Sequence, residues 1–232
     1  MTGWLASITT VQEARMALAS GAHIIDAKNP HAGALGALDS ALVKDIVAAV
    51  AGRVPVSATV GDFPEMDAGQ VSQAVAATAA TGVDFVKIGL FNAPGLDACL
   101  TALAPLARRY RLVAVLFADQ SPDFSLLSRL AALGFHGAML DTADKAGGGL
   151  LKHQTLDQLM QFVMRTHGLG LLSGIAGSLR KEDIPYLLPL APDYLGFRGA
   201  LCEGQTRTRG LNPQALGGVA QAMLQTHTQA AA

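Results

Sequence analysis

The stretch "HIIDAKNPHAGALGALDSALVKDIVAAVAG", residues 23–52, contains one complete strand–loop–helix unit. It begins with a short apolar run, passes through a glycine-rich loop and ends in a segment with the apolar spacing of an amphipathic helix. Asp39 is a suitable N-cap for that helix, and Gly52 is a suitable stop. The predicted buried stripe of the helix consists of Leu42, Val43, Ile46, Val47 and Val50.

The same strand–helix alternation recurs along the whole chain. Parallel neighbouring strands need long right-handed crossovers, and helices supply them. Eight such units predict a closed (β/α)₈ barrel of the α/β class. The apolar runs that predict its strands are "WLASI", "HIIDAK", "VPVSATV", "FVKIGL", "LVAVLFA", "GAMLDTA", "LGLLSGI" and "YLGFRGAL".

The alternative fold is an open, doubly wound sheet, which also alternates strands with helices. That fold usually carries a glycine fingerprint after its first strand, whereas this chain continues "WLASI" with "TTVQEA". Without a linker or a shift in composition, residues 1–232 are expected to form a single domain. The alanine-rich tail is expected to fray from about residue 226.

Composition and charge exclude several classes of function. The net charge is −1 with scattered basic residues, and aromatics make up 5% of the chain, which disfavours nucleic-acid binding. No apolar run is long enough to span a membrane, and no signal peptide is evident. Two distant cysteines, Cys99 and Cys202, form no disulfide framework. Two thiols without such a framework suit a cytoplasmic protein. The six histidines lack metal-site spacing, so we expect no metal.

Charged residues at the predicted strand ends are the main functional signal. In an α/β barrel the chemistry lies at the carboxyl ends of the strands. Lys28, Lys87 and Lys145, three of only six lysines, fall at or just after these ends. Asp26 and Lys28 share one face of a strand by period-two alternation, and Asp141 closes another strand. Lys87 interrupts a run that should be buried, where lysine is rare without a partner or a function.

Crowded amines in a desolvated barrel mouth favour loss of a proton, because burial and mutual repulsion both disfavour the charged form. A neutral lysine can attack a carbonyl and form a Schiff base. Nearby carboxylates such as Asp26 and Asp141 would orient the amines or transfer protons, but they also raise the lysine pKa. The competing interpretation is a set of purely structural ion pairs.

A phosphate site is predicted after the seventh and eighth strands. The turn "GIAGSLRKED" offers the backbone of Gly177 and Ser178 at the start of a helix. Arg198 and Gly199 follow the eighth strand, which is where barrels commonly bind phosphate. The alternative is an ordinary capped helix start without a ligand.

Seven motifs together resemble the (5-formylfuran-3-yl)methyl phosphate synthase family, also called 4-(hydroxymethyl)-2-furancarboxaldehyde-phosphate synthase. They lie in order from residue 24 to about residue 203 and so cover nearly the whole chain. The motifs are "IIDAKNP" with "GALG", "VSATVGD", "VKIGL", "MLDTADK", "AGSLRKEDIP" and "FRGALCE". After them the chain reads "GQTRTRG", which differs from the "KGDR"-like segment of archaeal members and leaves the contacts of that loop open.

The resemblance implies a barrel enzyme that condenses two molecules of glyceraldehyde 3-phosphate into a phosphorylated furan aldehyde, with loss of phosphate and water. It implies methanofuran or methylofuran biosynthesis as the pathway, no cofactor, and a homo-oligomer. Lys28 would be the Schiff-base lysine and Lys87 a proton acceptor, with Asp26, Asp141 and Lys145 as supporting acid–base residues.

Two other functions remain open at this stage. A class I aldolase or isomerase of sugar phosphates would also use a lysine on a barrel strand together with a phosphate site. A non-catalytic barrel that binds phosphorylated metabolites would use the lysines only as point charges.

Overall fold

Eight parallel strands alternate with helices in the computed structural model, which describes residues 1–145 and 147–230, with side chains up to residue 224. The strands are β1 (Gly3–Ile8), β2 (Ile24–Ala27), β3 (Val56–Thr59), β4 (Phe85–Leu90), β5 (Leu112–Phe117), β6 (Gly137–Asp141), β7 (Leu172–Ile175) and β8 (Tyr194–Phe197). The α-helices are α1 (Val11–Ala19), α2 (Ser40–Val50), α3 (Ala68–Ala79), α4 (Leu96–Ala107), α5 (Leu126–Leu133), α6 (Leu150–His153), α7 (Leu156–Gly168), α8 (Ile184–Leu187) and α9 (Pro213–Ala230).

The strands close into a barrel in sequence order. Each strand pairs in parallel with the next, and β8 returns to pair with β1. The predicted (β/α)₈ barrel is therefore confirmed, and the open sheet is excluded because β1 has a neighbour on both sides. Each predicted apolar run contains a strand, although β8 ends before the last four residues of its run. Residues 231–232 of the tail predicted to fray lie outside the described residues, so fraying stays a prediction.

Helix α2 shows how local sequence produces these elements. The Asp39 side chain caps its first turn, as predicted, and Gly52 lies just beyond its end with a positive φ of 69°. Val43, Ile46 and Val50 are buried against the barrel. Each of these side chains contributes roughly 1.5–3 kcal/mol of burial free energy, which fixes this face of the helix inward.

A buried apolar cluster lies inside the barrel. Leu5, Val113, Met139 and Tyr194 pack there in one buried cluster. The Tyr194 ring fills the space beside Gly174, where an added Cβ would lie 2.6 Å from the phenol oxygen. Apolar side chains and the Tyr194 ring thus fill part of the interior. The cavity that can take a ligand lies at the carboxyl ends of the strands, as is usual for this fold.

Three further features bear on the sequence-based exclusions. Cys99 and Cys202 are both buried free thiols. No helix within residues 1–145 and 147–230 combines the length and the hydropathy needed to cross a membrane. In the same residues, no three His, Cys, Asp or Glu side chains are grouped so that they could hold a metal ion.

Candidate active site

Asp26 lies at the centre of the first of two charged clusters in the upper barrel. The register of β1, β2 and β3 sets Ser7 and Ser57 on either side of it. Both hydroxyls donate to the carboxylate, at 2.7 Å and 2.6 Å respectively. The Lys87 ammonium donates to the same carboxylate at 3.0 Å. Asp26 is fully buried, so every charge-stabilising contact comes from the protein.

The pKa values in this cluster follow from burial and from pairing. Burial alone would raise the pKa of Asp26, but Lys87, Lys28 and the two serine hydroxyls together lower it. Burial lowers the pKa of Lys87, Asp26 opposes that shift, and the nearby Lys28 ammonium adds to it. The net result is an ionised carboxylate beside an amine that gives up its proton more readily than an exposed lysine.

Asp141, the last residue of β6, is the centre of the second cluster. Its carboxylate accepts hydrogen bonds from Lys28 at 3.3 Å and from Lys145 at 2.5 Å. The backbone N–H of Thr142 donates to it at 2.8 Å. Lys28 comes directly after β2, so the two amines approach the carboxylate from opposite sides of the barrel.

The lysines also hold Asp141 ionised. Burial would raise the pKa of this carboxyl, but Lys145 and Lys28 lower it well below its usual range. Burial lowers the pKa of Lys145 to about 8, against the opposing attraction of Asp141 and with help from Lys28. Lys145 can therefore exchange a proton at a pH where an ordinary lysine cannot.

Both clusters border one cavity of about 650 Å³ at the carboxyl ends of the strands. Lys28, Lys87, Asp141 and Lys145 line it, whereas Asp26 lies beneath its floor. The structure thus brings together all five acid–base residues predicted from the sequence. Chemically, the arrangement offers three amines around two carboxylates, which suits addition to a carbonyl.

Gly177, Ser178 and Gly199 border the same cavity, on the β7 and β8 side. Gly177 has a φ of 114°, and an added Cβ would lie 3.1 Å from Thr142, so only glycine fits comfortably. Within the described residues, no protein group accepts a hydrogen bond from the backbone N–H of Gly177, Ser178 or Gly199. These amides are available to an anion.

The helix start predicted after this turn is short. A 3-10 turn, Lys181–Asp183, leads into the four-residue helix α8. The Asp183 carboxylate accepts the backbone N–H of Arg180 at 2.7 Å, so the protein itself caps this end. The anion-binding features of the turn are therefore the amides before the helix rather than the helix end.

Arg198 lies at the predicted place beside the cavity, but its guanidinium is engaged by the protein. Its guanidinium donates to both carboxylate oxygens of Glu13, at 2.6 Å and 3.3 Å, and to the carbonyl oxygen of Ser7. It also donates to the carbonyls of Arg207 and Arg209. These five bonds equal the number of its N–H groups. Arg198 lines the cavity but has no donor left for a phosphate.

Sequence reasoning missed Glu13 and Arg207. Glu13 sits in the first turn of α1 and looks like an ordinary helix-start carboxylate, yet it is buried against Arg198, which lies 185 residues further along the chain. Arg207 belongs to the "GQTRTRG" segment and lines the cavity. The position of such a polar residue depends on contacts with distant parts of the chain, and the hydropathy pattern around it does not reveal those contacts.

Comparison with protein families gives one match over most of the chain, the family described as 4-HFC-P synthase, over residues 4–220. A Methylorubrum extorquens protein that carries the furan phosphate synthase name provisionally is 45% identical, over 94% of this chain and 90% of its own length. Relatives named (5-formylfuran-3-yl)methyl phosphate synthase are 39% identical in Methanopyrus kandleri and 36% identical in Methanocaldococcus jannaschii. Each alignment covers 89% of this chain and 92% of the relative.

Solved structures with the same architecture include phosphoribosyl anthranilate isomerase from Thermotoga maritima. Its TM-score is 0.71 at 12% identity, over 97% of this chain and all of that one. Thiamine phosphate pyrophosphorylase from Pyrococcus furiosus has a TM-score of 0.66 at 12% identity, over 97% of this chain and 96% of that one. Identities this low show the fold alone. The family match and the named relatives go further, and the chain belongs to the 4-HFC-P synthase family.

Proposed function

We propose that this protein is a (5-formylfuran-3-yl)methyl phosphate synthase that works through a Schiff base on Lys28. Two molecules of glyceraldehyde 3-phosphate would give one furan phosphate, one inorganic phosphate and two molecules of water. The product would supply the furan of methanofuran or methylofuran. Family membership supports the reaction, and the pairing of Lys28 with Asp141 inside the cavity is the observation that carries the mechanism.

Lys28 is the proposed nucleophile because of its position. Its ammonium lies at the cavity wall, 3.3 Å from Asp141, and the side chain is largely shielded from solvent. Asp141 also binds Lys145, so a proton released by Lys28 has a carboxylate and a second amine within reach. The neutral Lys28 amine adds to a triose phosphate carbonyl, and loss of water leaves a protonated imine.

Lys87 is the proposed proton acceptor at the carbon next to the imine. Burial lowers its pKa, which favours the neutral form that a base needs. Asp26 holds its nitrogen at 3.0 Å and is itself fixed by Ser7 and Ser57. Because the carboxylate is fully buried, it orients Lys87 without contacting the substrate.

Removal of that proton converts the imine into an enamine, whose carbon attacks the aldehyde of the second triose. Loss of phosphate, loss of water and ring closure then release the lysine. Asp141 and Lys145 are placed to give and accept protons during these steps, since the pKa of Lys145 lies at about 8.

The amides of Gly177, Ser178 and Gly199 are the proposed cradle for a substrate phosphate. These three residues line the cavity, and their N–H groups have no acceptor within the described protein. Arg198 supports this cradle indirectly, by fixing the segment that follows Gly199, because its own donors are all occupied.

Product analysis tests the reaction. Glyceraldehyde 3-phosphate incubated with the protein should release one inorganic phosphate for each new ultraviolet-absorbing aldehyde, with unphosphorylated glyceraldehyde as the control substrate. Formation of a ketose phosphate without phosphate release would instead indicate an aldolase or isomerase. Tight binding of the substrate without any product would indicate a binding protein, and either result would refute the proposal.

A further inference from the structure

The cavity is lined by more cationic side chains than the three lysines with proposed catalytic roles. Seven lysine and arginine side chains line it, against only two aspartates, Asp141 and Asp183. Asp26 and Glu13, just outside the lining, neutralise Lys87 and Arg198. An excess of cations remains, which suits a cavity that takes in more than one multiply charged anion.

Arg207 is the least satisfied of the partly buried cations in this cavity. Its guanidinium makes one hydrogen bond in the described structure, to the carbonyl of Gly33 at 3.0 Å. Within that same part of the chain, no carboxylate lies within 4.0 Å of it, unlike the paired Lys28, Lys87 and Lys145. Most of its N–H donors are therefore free to bind a ligand in the cavity.

The loop that carries Arg207 is held rigidly. Arg198 donates to the carbonyl of Arg207 at 2.9 Å and to that of Arg209 at 2.8 Å. Glu13 binds Arg198 and also accepts the backbone N–H of Leu211 at 3.1 Å. The buried pair thus holds the loop at Arg207 and at two later positions, Arg209 and Leu211. A guanidinium on a fixed backbone binds an oxyanion with less loss of entropy than one on a free loop.

The Arg207 side chain extends from the loop after β8 toward the loop after β2. The cradle is formed by residues after β7 and β8, whereas Arg207 reaches the loop after β2 at Gly33. Asp62, from the loop after β3, fastens that loop by accepting the backbone N–H groups of Ala34 and Leu35 at 2.7 Å and 3.1 Å. The cavity therefore has two candidate positions for an oxyanion, the amides after β7 and β8 and the Arg207 guanidinium beside the loop after β2.

We propose that Arg207 binds the second of the two phosphate groups that enter the cavity. This inference rests on the proposed function, because that reaction consumes two phosphorylated substrates. The planar guanidinium can form two parallel hydrogen bonds to one phosphate, an arrangement that lysine cannot reproduce.

A calorimetric titration with inorganic phosphate tests the site without any turnover. We compare the wild type with Arg207→Gln and with Arg209→Gln, a matched control that removes an exposed charge two residues away. Wild type and Arg209→Gln should bind two phosphate ions per chain. Arg207→Gln should retain one and bind the other about 10- to 100-fold more weakly, as expected for loss of a charged hydrogen-bonding partner. Unchanged phosphate binding in Arg207→Gln would overturn the proposal.

Steady-state kinetics separate binding from a merely structural role. Arg207→Gln should raise the KM for glyceraldehyde 3-phosphate at least tenfold, and Arg207→Lys should restore part of the loss. Borohydride trapping of one triose on Lys28 should persist in both variants, because the cradle still holds the first substrate. An unaltered KM would refute the role of Arg207. If the wild-type protein makes no furan product, the proposed function fails, and the phosphate titration still decides whether Arg207 binds phosphate. If Arg207→Gln does not fold, Arg207→Lys replaces it in both experiments.

Discussion

The two buried carboxylates of the barrel, Asp26 and Asp141, have contrasting surroundings. Asp26 has no solvent exposure and accepts hydrogen bonds from two serine hydroxyls and from the Lys87 ammonium. Asp141 borders the cavity and is shared by two lysines, Lys28 and Lys145. Each carboxylate accepts three hydrogen bonds, but two of the donors to Asp26 are buried serine hydroxyls, whereas two of the donors to Asp141 are amines that line the cavity.

This contrast suggests a division of labour within one charged mouth. A carboxylate that is fully buried and fixed by two hydroxyls holds its lysine in one place and leaves it little freedom. A carboxylate shared by two amines at a cavity wall can lose one of them to a substrate and keep the other. We therefore propose that Asp26 positions Lys87 and that the covalent chemistry takes place on Lys28, one of the two amines paired with Asp141.

The largest expected effect comes from Lys28→Arg. Guanidinium keeps the positive charge beside Asp141 but stays protonated, so it cannot attack a carbonyl. Turnover should fall by at least about 10³-fold, the scale seen when a nucleophile is removed. Lys44→Arg, on the exposed face of α2, is the matched control and should keep full activity. Activity of Lys28→Arg within tenfold of wild type would remove the nucleophile assignment.

The next effect concerns folding stability and compares the two carboxylates directly. Asp26→Asn leaves Lys87 buried without its counter-charge and should lower the free energy of unfolding by about 3–5 kcal/mol. Asp141→Asn should cost less, about 1–3 kcal/mol, because Lys28 and Lys145 border a cavity that can admit water. Urea unfolding of both variants measures the difference. A greater loss of stability in Asp141→Asn than in Asp26→Asn would contradict the assignment.

The smallest effect is a pH dependence from Lys145. Its pKa is about 8 in the folded protein and 10.5 as the reference value. Between these values the unfolded chain binds the proton more tightly, so this residue makes the free energy of unfolding rise with pH. Relative to Lys145→Met, wild-type stability should be flat below pH 8 and should increase from about pH 8 to 10.5. A decrease across this window would show that pairing with Asp141 outweighs burial.

Much of the fold was predictable from local sequence. The eight apolar runs and the helical periodicity between them follow from which faces must be buried, and these patterns repeat along the chain. The alternation of side chains along a strand also predicted correctly that Asp26 and Lys28 face the barrel interior. Strand ends were less certain, because "YLGFRGAL" stays apolar beyond Phe197, where pairing stops.

The partners within the site could not be predicted in the same way. Arg198 was expected at a phosphate because it follows β8, but Glu13 from the first helix takes its guanidinium. That contact depends on barrel closure between β1 and β8, which no local pattern encodes. Arg207 was missed for the same reason, since only the folded loop brings it to Gly33.

Mass spectrometry after borohydride reduction tests the central claim most directly. Protein incubated with glyceraldehyde 3-phosphate and then reduced should carry one covalent triose phosphate adduct, located on the peptide that contains Lys28. Lys28→Arg should carry none, and Lys87→Met should still form it, because Lys87 acts after the imine. An adduct on Lys87 or Lys145, or unmodified protein that nevertheless turns over, would contradict the account.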